Sequence, residues 1–297
     1  MLPYDTDLLG ERGDPTPLDA VRSLTASGRD QRLDALIVDA HAIIDEALAA
    51  HLDGRELVAK VVLFSGGADS LTLTHLLRDE ADYAGHANTT IGVEETREFV
   101  RQTCKNWNLP LLERTAPTSY RDLVIERGFP GPAMHYKMYQ RLKERPLEQI
   151  RRELVTDPRR QRVLFLAGRR RSESQRRQHI PIFERRGSTI WASPLAMWTR
   201  LDLAWYRRRH RLEENPVSQN LHMSGECLCG AFAKPNELDK IGFFYPQTAQ
   251  ELRSLEQDAT DAGHRPPFNK WGHGGGKPSD MSGTLCGTCT LFDGCGV

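Results

Sequence analysis

Apolar positions recur at helical spacing between Asp30 and His51, through Leu33, Leu36, Ile37, Ala40, Ile43, Ile44, Ala47 and Leu48. That stripe predicts an amphipathic helix. A different pattern follows: Lys60-Val61-Val62-Leu63-Phe64 is a short apolar run ending at a glycine pair. It predicts a strand buried on both faces, the habit of parallel sheets. Helical spacing resumes from Asp69 to about Arg78. Further strands are predicted at Tyr83–Asn88, from Pro110, at Arg162–Ala167 and at Thr189–Ala192. Helices are predicted at 94–107, 119–127, 134–154 with a break near Pro146, 200–210 and 248–262. Strand and helix alternate, which argues for a doubly wound, mostly parallel α/β sheet covered on both faces. The chain divides into an N-terminal leader and helix (1–55), an α/β domain (56–235) and a C-terminal helix with a Cys-rich tail (236–297).

At 297 residues with formal net charge zero, composition alone excludes a disordered or fibrous chain. The N-terminus carries acids rather than an apolar core, and no run of eighteen apolar residues occurs. These features predict a cytoplasmic protein without a membrane partner. The charge is unevenly spread: Lys137 to Arg211 holds 21 Lys/Arg against 7 Asp/Glu. Such a stretch suits solvated helix faces or a surface for polyanions. Five of the six cysteines lie after residue 226, a clustering that suggests metal or redox chemistry in a reducing compartment.

The sharpest chemical signal is Ser65-Gly66-Gly67-Ala68-Asp69-Ser70, between a strand and a helix. Two glycines let the backbone turn tightly and approach an anion. The helix that follows offers free N–H groups and a positive dipole end. Ser65 and Ser70 add hydroxyls, while Asp69 suits Mg²⁺ or a helix cap. The second arginine-bearing turn, Gly168-Arg169-Arg170-Arg171, also follows a strand. Both turns would therefore lie at the carboxyl edge of the sheet, where ligands of such folds bind. Guanidinium groups there fork onto phosphate or sulfate oxygens.

Ser-Gly-Gly-x-Asp-Ser resembles the signature of the PP-loop ATP pyrophosphatases, and the wider match is to their phosphoadenosine phosphosulfate (PAPS) reductase-like branch. The resemblance spans roughly residues 58–235. Thr89-Thr90-Ile91-Gly92-Val93-Glu94-Glu95-Thr96 resembles the branch's second-strand motif, with Thr90 where Gly is usual. Gly168 to Arg177 resembles its Gly-x-Arg-Arg-x-Glu-Ser-x-x-Arg segment, and Pro194-Leu195 through Trp198-Thr199 its Pro-Leu…Trp-Thr segment. Asn215-Pro216 precedes a Cys pair, and Lys143 with Pro146-Leu147 matches a Lys-x-x-Pro-Leu element. The resemblance implies a HUP-like, PP-loop-type fold. It also implies nucleotide binding by Ser65, Gly66, Gly67, Asp69, Ser70, Arg170, Arg171 and Arg177, with ATP and Mg²⁺ as cofactors. The loop keeps its intact form, which favours ATP cleavage over binding of a sulfonucleotide.

Cys227-x-Cys229 and Cys286-x-x-Cys289 together supply four thiolates, enough for a [4Fe–4S] cluster or for Zn²⁺. The resemblance favours iron–sulfur, although the Cys-Cys pair of cluster-bearing reductases is replaced here by His135-Tyr136. DNA phosphorothioation sulfur-transfer proteins are similar in pairing an intact loop with such cysteines. Cys295, followed by Gly296, resembles the mobile C-terminal nucleophile of the reductases; it also fits a persulfide carrier or a ligand. Two activities follow from the resemblance. One is an adenylating sulfur transfer to DNA, tRNA or a small oxyanion, using Asp69 and a cysteine desulfurase-type sulfur donor. The other is a sulfonucleotide reductase with Cys295 as nucleophile. A nucleotide- or nucleic-acid-binding subunit without turnover is the non-enzymatic alternative.

Overall fold

The computed structural model describes Asp5, Leu9 and residues 12–174 and 177–274. Cys286, Cys289 and Cys295 lie outside the described residues. Six strands form one sheet: β1 (Glu56–Leu63), β2 (Tyr83–Asn88), β3 (Leu111–Thr115), β4 (Gln161–Leu166), β5 (Phe183–Arg186) and β6 (Thr189–Ala192). Their order is β3-β2-β1-β4-β6-β5. All neighbours are parallel except β5, which pairs antiparallel with β6. The predicted strands occur within a few residues of the pattern. β5 escaped it because a four-residue edge strand reading Phe-Glu-Arg-Arg has no apolar run to betray it.

The helices are α1 (Leu18–Arg22), α2 (Ala26–His51), α3 (Ala68–Leu77), α4 (Glu94–Asn106), α5 (Tyr120–Arg127) and α6 (His135–Tyr139). They continue with α7 (Arg145–Leu154), α8 (Arg200–Arg209), α9 (Pro216–Leu221), α10 (Glu237–Phe244) and α11 (Pro246–Asp261). The predicted break near Pro146 is real: a π-helical turn over Gln140–Glu144 separates α6 from α7, and Pro146 sits in the first turn of α7. Proline has no N–H to donate, so it tolerates a first turn and not a helix interior. α9 and α10 were not anticipated, being too short to show a period.

Two apolar clusters flank the sheet. One joins α2, α3 and α8 through Leu36, Ile43, Leu73, Leu166, Trp198 and Tyr206. The other is smaller and lies under α7, through Ile150, Val61 and Phe165. A third cluster joins α5 to residues 228–233 and to α10 and α11, through Tyr120, Leu228, Ile241 and Leu252. Residues on both sides of Pro235 thus share one apolar interior. Among the described residues no helix is long and apolar enough to cross a membrane.

β1 is the pivot. The chain moves outward from it through β2 and β3, then returns to its other side at β4. The crevice at the carboxyl ends of β1 and β4 is the topological switch point, where ligands of open α/β sheets bind. Both turns singled out in the sequence leave the sheet there.

A buried ion pair ties the N-terminal helix to this frame. Arg32 on α2 forks onto Asp202 on α8, with Nε–Oδ1 at 2.9 Å and Nη2–Oδ2 at 3.1 Å. The Arg32 side chain is 1% and the Asp202 side chain 5% exposed. Asp202 also closes a capping box, accepting from the Thr199 amide and hydroxyl at 2.7 Å each. Removing the carboxylate takes away Arg32's bidentate buried partner and the capping box of α8 together. Asp202→Ala is therefore expected to lower unfolding free energy by about 3–5 kcal/mol in urea denaturation. Asp19→Ala, which breaks an exposed pair with Arg22, is expected to change it by less than about 1 kcal/mol.

Candidate functional site

β1 ends at Leu63, and Gly67 caps α3 from an extended backbone. Gly66 has φ +76°, in the left-handed region that a side chain disfavours. A methyl there would also stand 2.8 Å from Thr96 Cγ2 and 3.2 Å from Asn215 Nδ2. The turn is laced from within: Ser70 Oγ receives the Ser65 amide at 3.2 Å and donates to the Gly67 carbonyl at 3.0 Å. From behind, Asn215 donates to the Gly66 carbonyl at 3.0 Å and Ser218 to the same oxygen at 3.3 Å. Carbonyls are thus pulled inward. The amides of Gly66, Gly67, Ala68, Asp69 and Ser70 have no acceptor among the described residues. Five uncommitted donors at a helix N-terminus form an anion cradle.

The β4 turn meets this cradle backbone to backbone. A methyl on Gly168 would lie 3.1 Å from the Asp69 carbonyl and 3.2 Å from the Ser70 amide. The next residues carry the arginines, and the structure distributes them unequally. Arg170 forks onto Asp69, with Nε–Oδ2 at 2.9 Å and Nη2–Oδ1 at 3.3 Å, and donates to Ser172 at 3.1 Å. Arg171 donates to main-chain carbonyls of Ile180, Arg12 and Gly13. Arg177 pairs with Glu173. Burial pushes the Glu173 carboxyl up, against the pull of Arg177. Ser65, Gly66, Gly67, Asp69, Ser70 and Arg170 are brought together; Arg171 is turned to the backbone of two other segments. Arg169 rests over the Trp191 ring, 5.8 Å from its centroid, and donates to Ser193 at 3.1 Å.

Cys227 and Cys229 line a separate cavity of about 410 Å³, together with His135, Tyr139, Lys143 and Lys240. The Cys-x-Cys turn is pinned on three sides. Leu228 donates to Ile91 and receives Trp271 Nε1, each at 2.7 Å, and Tyr120 donates to the Cys229 carbonyl at 2.7 Å. Gly230 has φ +75°, and any side chain there would strike the Trp271 ring. A hydrogen bond from Cys229 and the charge of Lys143 outweigh burial and bring the Cys227 thiol below its ordinary range. The hydrogen bond to Cys227, with burial and the Cys227 charge, pushes the Cys229 thiol up. Among the described residues no three His, Cys, Asp or Glu side chains converge as a metal site. The pair fits two ligand positions of a cluster or zinc, thiolate and thiol beside a lysine, and no more of the set lies among the described residues. His135 lines this cavity, in the vicinity where the sequence resemblance places a cysteine pair.

Of three further features, Thr90 and Gly92 were motif positions in the sequence without a structural role, and the third had no signal there. Thr90, standing where Gly is usual, keeps a glycine-like φ of +63°, a costly conformation for a β-branched residue. Its hydroxyl accepts the Tyr120 amide at 2.7 Å. Gly92 lies so close to the Glu226 carbonyl that a methyl would be 2.5 Å away. The third is a buried pair: His86 on β2 and Glu226, each 1% exposed, with Nε2 and Oε2 at 3.2 Å but poorly aligned. His86 Nδ1 donates to the Phe64 carbonyl at 2.7 Å, and Glu226 accepts the Thr89 amide at 2.9 Å. The chain just before the anion cradle and the chain just before Cys227 are thereby joined through one histidine.

Residues 59–225 match the family model described as the phosphoadenosine phosphosulfate reductase domain. This chain belongs to that family. Among curated proteins, the adenosine 5'-phosphosulfate reductase of Chelativorans sp. (strain BNC1) is 30% identical over 232 residues, covering 77% of this chain and 89% of that one. Among solved structures, a phosphoadenylyl-sulfate reductase from Candida auris in a phosphate complex aligns at TM-score 0.44 and 16% identity, over 66% of this chain and 92% of that one. The U34-tRNA thiolase NcsA from Methanococcus maripaludis, solved with its [4Fe-4S] cluster, aligns at TM-score 0.44 and 11% identity, over 77% and 80%. At those scores neither superposition bears on chemistry. The match makes this an enzyme of the PAPS reductase family, with the anion cradle and the Cys227 turn inside or beside the matched region.

Burial favours neutral His86, but contact with Glu226, that carboxylate's charge and the Phe64 carbonyl outweigh it, so its pKa lies above the ordinary 6.5. A raised histidine pKa stabilises the fold fully below the unfolded value, and that contribution is lost as pH rises through the folded value. The stability advantage of the wild type over Glu226→Gln is therefore expected to be full below the ordinary histidine value of 6.5 and to shrink as pH rises through the raised folded-state value in denaturation series. A constant difference across that range would remove the charge from this pair.

Proposed function

We propose that the chain is an adenylating sulfur transferase, which cleaves ATP to AMP and pyrophosphate to activate an oxyanion acceptor for sulfur. The observation that carries this reading is the anion cradle of five free amides with a carboxylate, Asp69, at its mouth. Amides suit any phosphate or sulfate. A carboxylate beside them repels an anion unless a cation offsets it; Arg170 does so in the empty site, and Mg²⁺ accompanying a triphosphate would take over that role.

The chain's own groups then divide the work. The amides of residues 66–70 hold phosphate oxygens without reorganising as charge shifts from the α-phosphorus to the leaving pyrophosphate. Arg170 is held in place by Asp69 and can pass its fork to a phosphate when Asp69 turns to a cation. Bound Mg²⁺ would supply charge neutralisation across the phosphates. The acceptor oxygen bonds to the α-phosphorus, and the bond from that phosphorus to the bridging oxygen breaks. Pyrophosphate leaves with the electron pair. Cys227, poised as thiolate by Cys229 and Lys143, would carry the sulfur as a persulfide loaded by a cysteine desulfurase-type donor. The outer sulfur displaces AMP from the adenylated acceptor; the Cys229 thiol then attacks the Cys227 sulfur, the acceptor's sulfur leaves as a thiolate, and a Cys227–Cys229 disulfide forms. Cys295 is the other proposed carrier, with DNA, tRNA or a small oxyanion as acceptor. If Cys286 and Cys289 complete the ligand set of Cys227 and Cys229, the thiolates are those of a [4Fe–4S] or zinc centre, which would hold sulfur or order the turn.

The curated relative favours a second reading, a sulfonucleotide reductase. There a cysteine thiolate attacks the sulfur of adenylyl sulfate and AMP leaves. A second thiol then releases sulfite as the two cysteines form a disulfide. The two readings share the cradle and part at the product. With MgATP and candidate acceptors, α-labelled ATP should yield AMP and pyrophosphate. The yield should fall by about 10²-fold or more in Asp69→Ala that melts like the wild type. Sulfite from adenylyl sulfate, lost in Cys295→Ser, with no pyrophosphate from ATP under any acceptor, would replace the first reading by the second.

A further inference from the structure

The cysteine cavity holds more positive charge than its two thiols call for. Lys143, Lys234 and Lys240 line the same space, from the π-helical turn before α7, the turn after Cys229 and α10. None of the three ammonium groups makes an ion pair or a hydrogen bond among the described residues. Burial, with the charges of Lys240 and Lys234, holds the His222 imidazole in the same lining below its usual value. Glu237 is the single carboxylate of the described lining, and burial pushes it up. Like charges gathered in a half-enclosed space repel one another, and an anion that enters relieves them.

Aromatic rings share this lining. Phe232 is 44% and Tyr139 41% exposed, large rings that the fold leaves in water at the cavity wall. The His135 ring joins them, with its centroid 4.8 Å from Phe232 and 6.5 Å from Tyr139. A small oxyanion would use the lysines and leave the rings idle. A nucleotide uses both, laying its base on an aromatic face and its phosphate among cations. The volume of about 410 Å³ suits one such unit. A base inside a duplex has both faces covered by its neighbours, so these rings can take only an unpaired one.

We propose that the cysteine cavity takes an unpaired nucleotide of a nucleic-acid strand. Its base lies on Phe232 and Tyr139, and its backbone phosphate lies among Lys143, Lys234 and Lys240, beside Cys227. As a binding site this stands on the lining alone. As the place where the acceptor meets sulfur it rests on the sulfur-transfer reading, and it narrows the acceptor from any oxyanion to a nucleic-acid strand.

The test is fluorescence anisotropy of the full chain with a labelled oligothymidylate about 12 nucleotides long, titrated across a salt series. Three phosphate-facing lysines should give a slope of about −2 in log affinity against log salt. Lys234→Gln and Lys240→Gln should each make that slope shallower by about 0.7. Phe232→Ala and the milder Phe232→Leu, melting like the wild type, should weaken binding, the former by about tenfold or more, and leave the slope in place. Lys105→Gln, exposed on α4, should change neither. Absence of strand binding, or equal effects from Lys105→Gln, would overturn the site. So would a duplex or a poly-glutamate chain that competes as well as the single strand, since neither offers an unpaired base. Thymidine monophosphate bound as tightly as the strand, with the same losses in the variants, would replace the strand by a free nucleotide. If the strand binds through these residues but MgATP and a sulfur donor yield neither pyrophosphate nor sulfur-bearing strand, the sulfur-transfer reading fails and the binding site stands.

Discussion

The site depends on one close approach: the β4 turn touches the start of α3 at Gly168, with no side chain between them. Because β1 and β4 are neighbours whose connections leave in opposite directions, their carboxyl ends open into a shared crevice. A methyl at Gly168 would make contacts tighter than nine in ten real ones, so the two turns would have to part by a few tenths of an ångström. That contact places Arg170 against Asp69 and sets Arg169 one strand further along. An anion cradle built from backbone amides is sequence-tolerant at its donors. It is intolerant at the glycines that let the donors converge.

The cradle is also held from outside the sheet. Asn215 bonds the Gly66 carbonyl at 3.0 Å, Thr96 Oγ1 at 3.1 Å and the Ser224 carbonyl at 3.4 Å. His86 links the Phe64 carbonyl to Glu226. Two polar threads therefore run from the anion cradle to residues 224–226, directly before Cys227. In a packed interior such threads make the two turns one rigid unit, since moving either would strand buried donors and acceptors. The cradle and the cysteine turn are thereby held in fixed relation.

Much of the fold was legible. β1, β4 and β6 announced themselves as apolar runs and α2 as a periodic stripe, because burial on one or both faces dictates composition. The cradle was legible as well, since its chemistry is local: a strand, two glycines, hydroxyls and a helix start are consecutive residues. What was not legible involves partners distant in sequence. Arg170 and Arg171 read alike in the chain, yet one meets a carboxylate 101 residues away and the other a loop 158 residues away. His86 lies in a strand that reads simply as Tyr-Ala-Gly-His-Ala-Asn, and nothing in that stretch reports Glu226, 140 residues further on.

The sequence by itself determined the parallel α/β architecture, the PAPS reductase-type motifs and the anion-ready loop, because periodicity and backbone conformation are written into neighbouring residues. Tertiary structure alone decided which arginine is spent on Asp69, which on the backbone and which rests over Trp191 beside Glu184. It also decided that Cys227 shares its cavity with Lys143 and His135. The reason is physical: a guanidinium or thiol acquires its reactivity from the charges and donors that packing brings to it, and packing is a property of the whole chain.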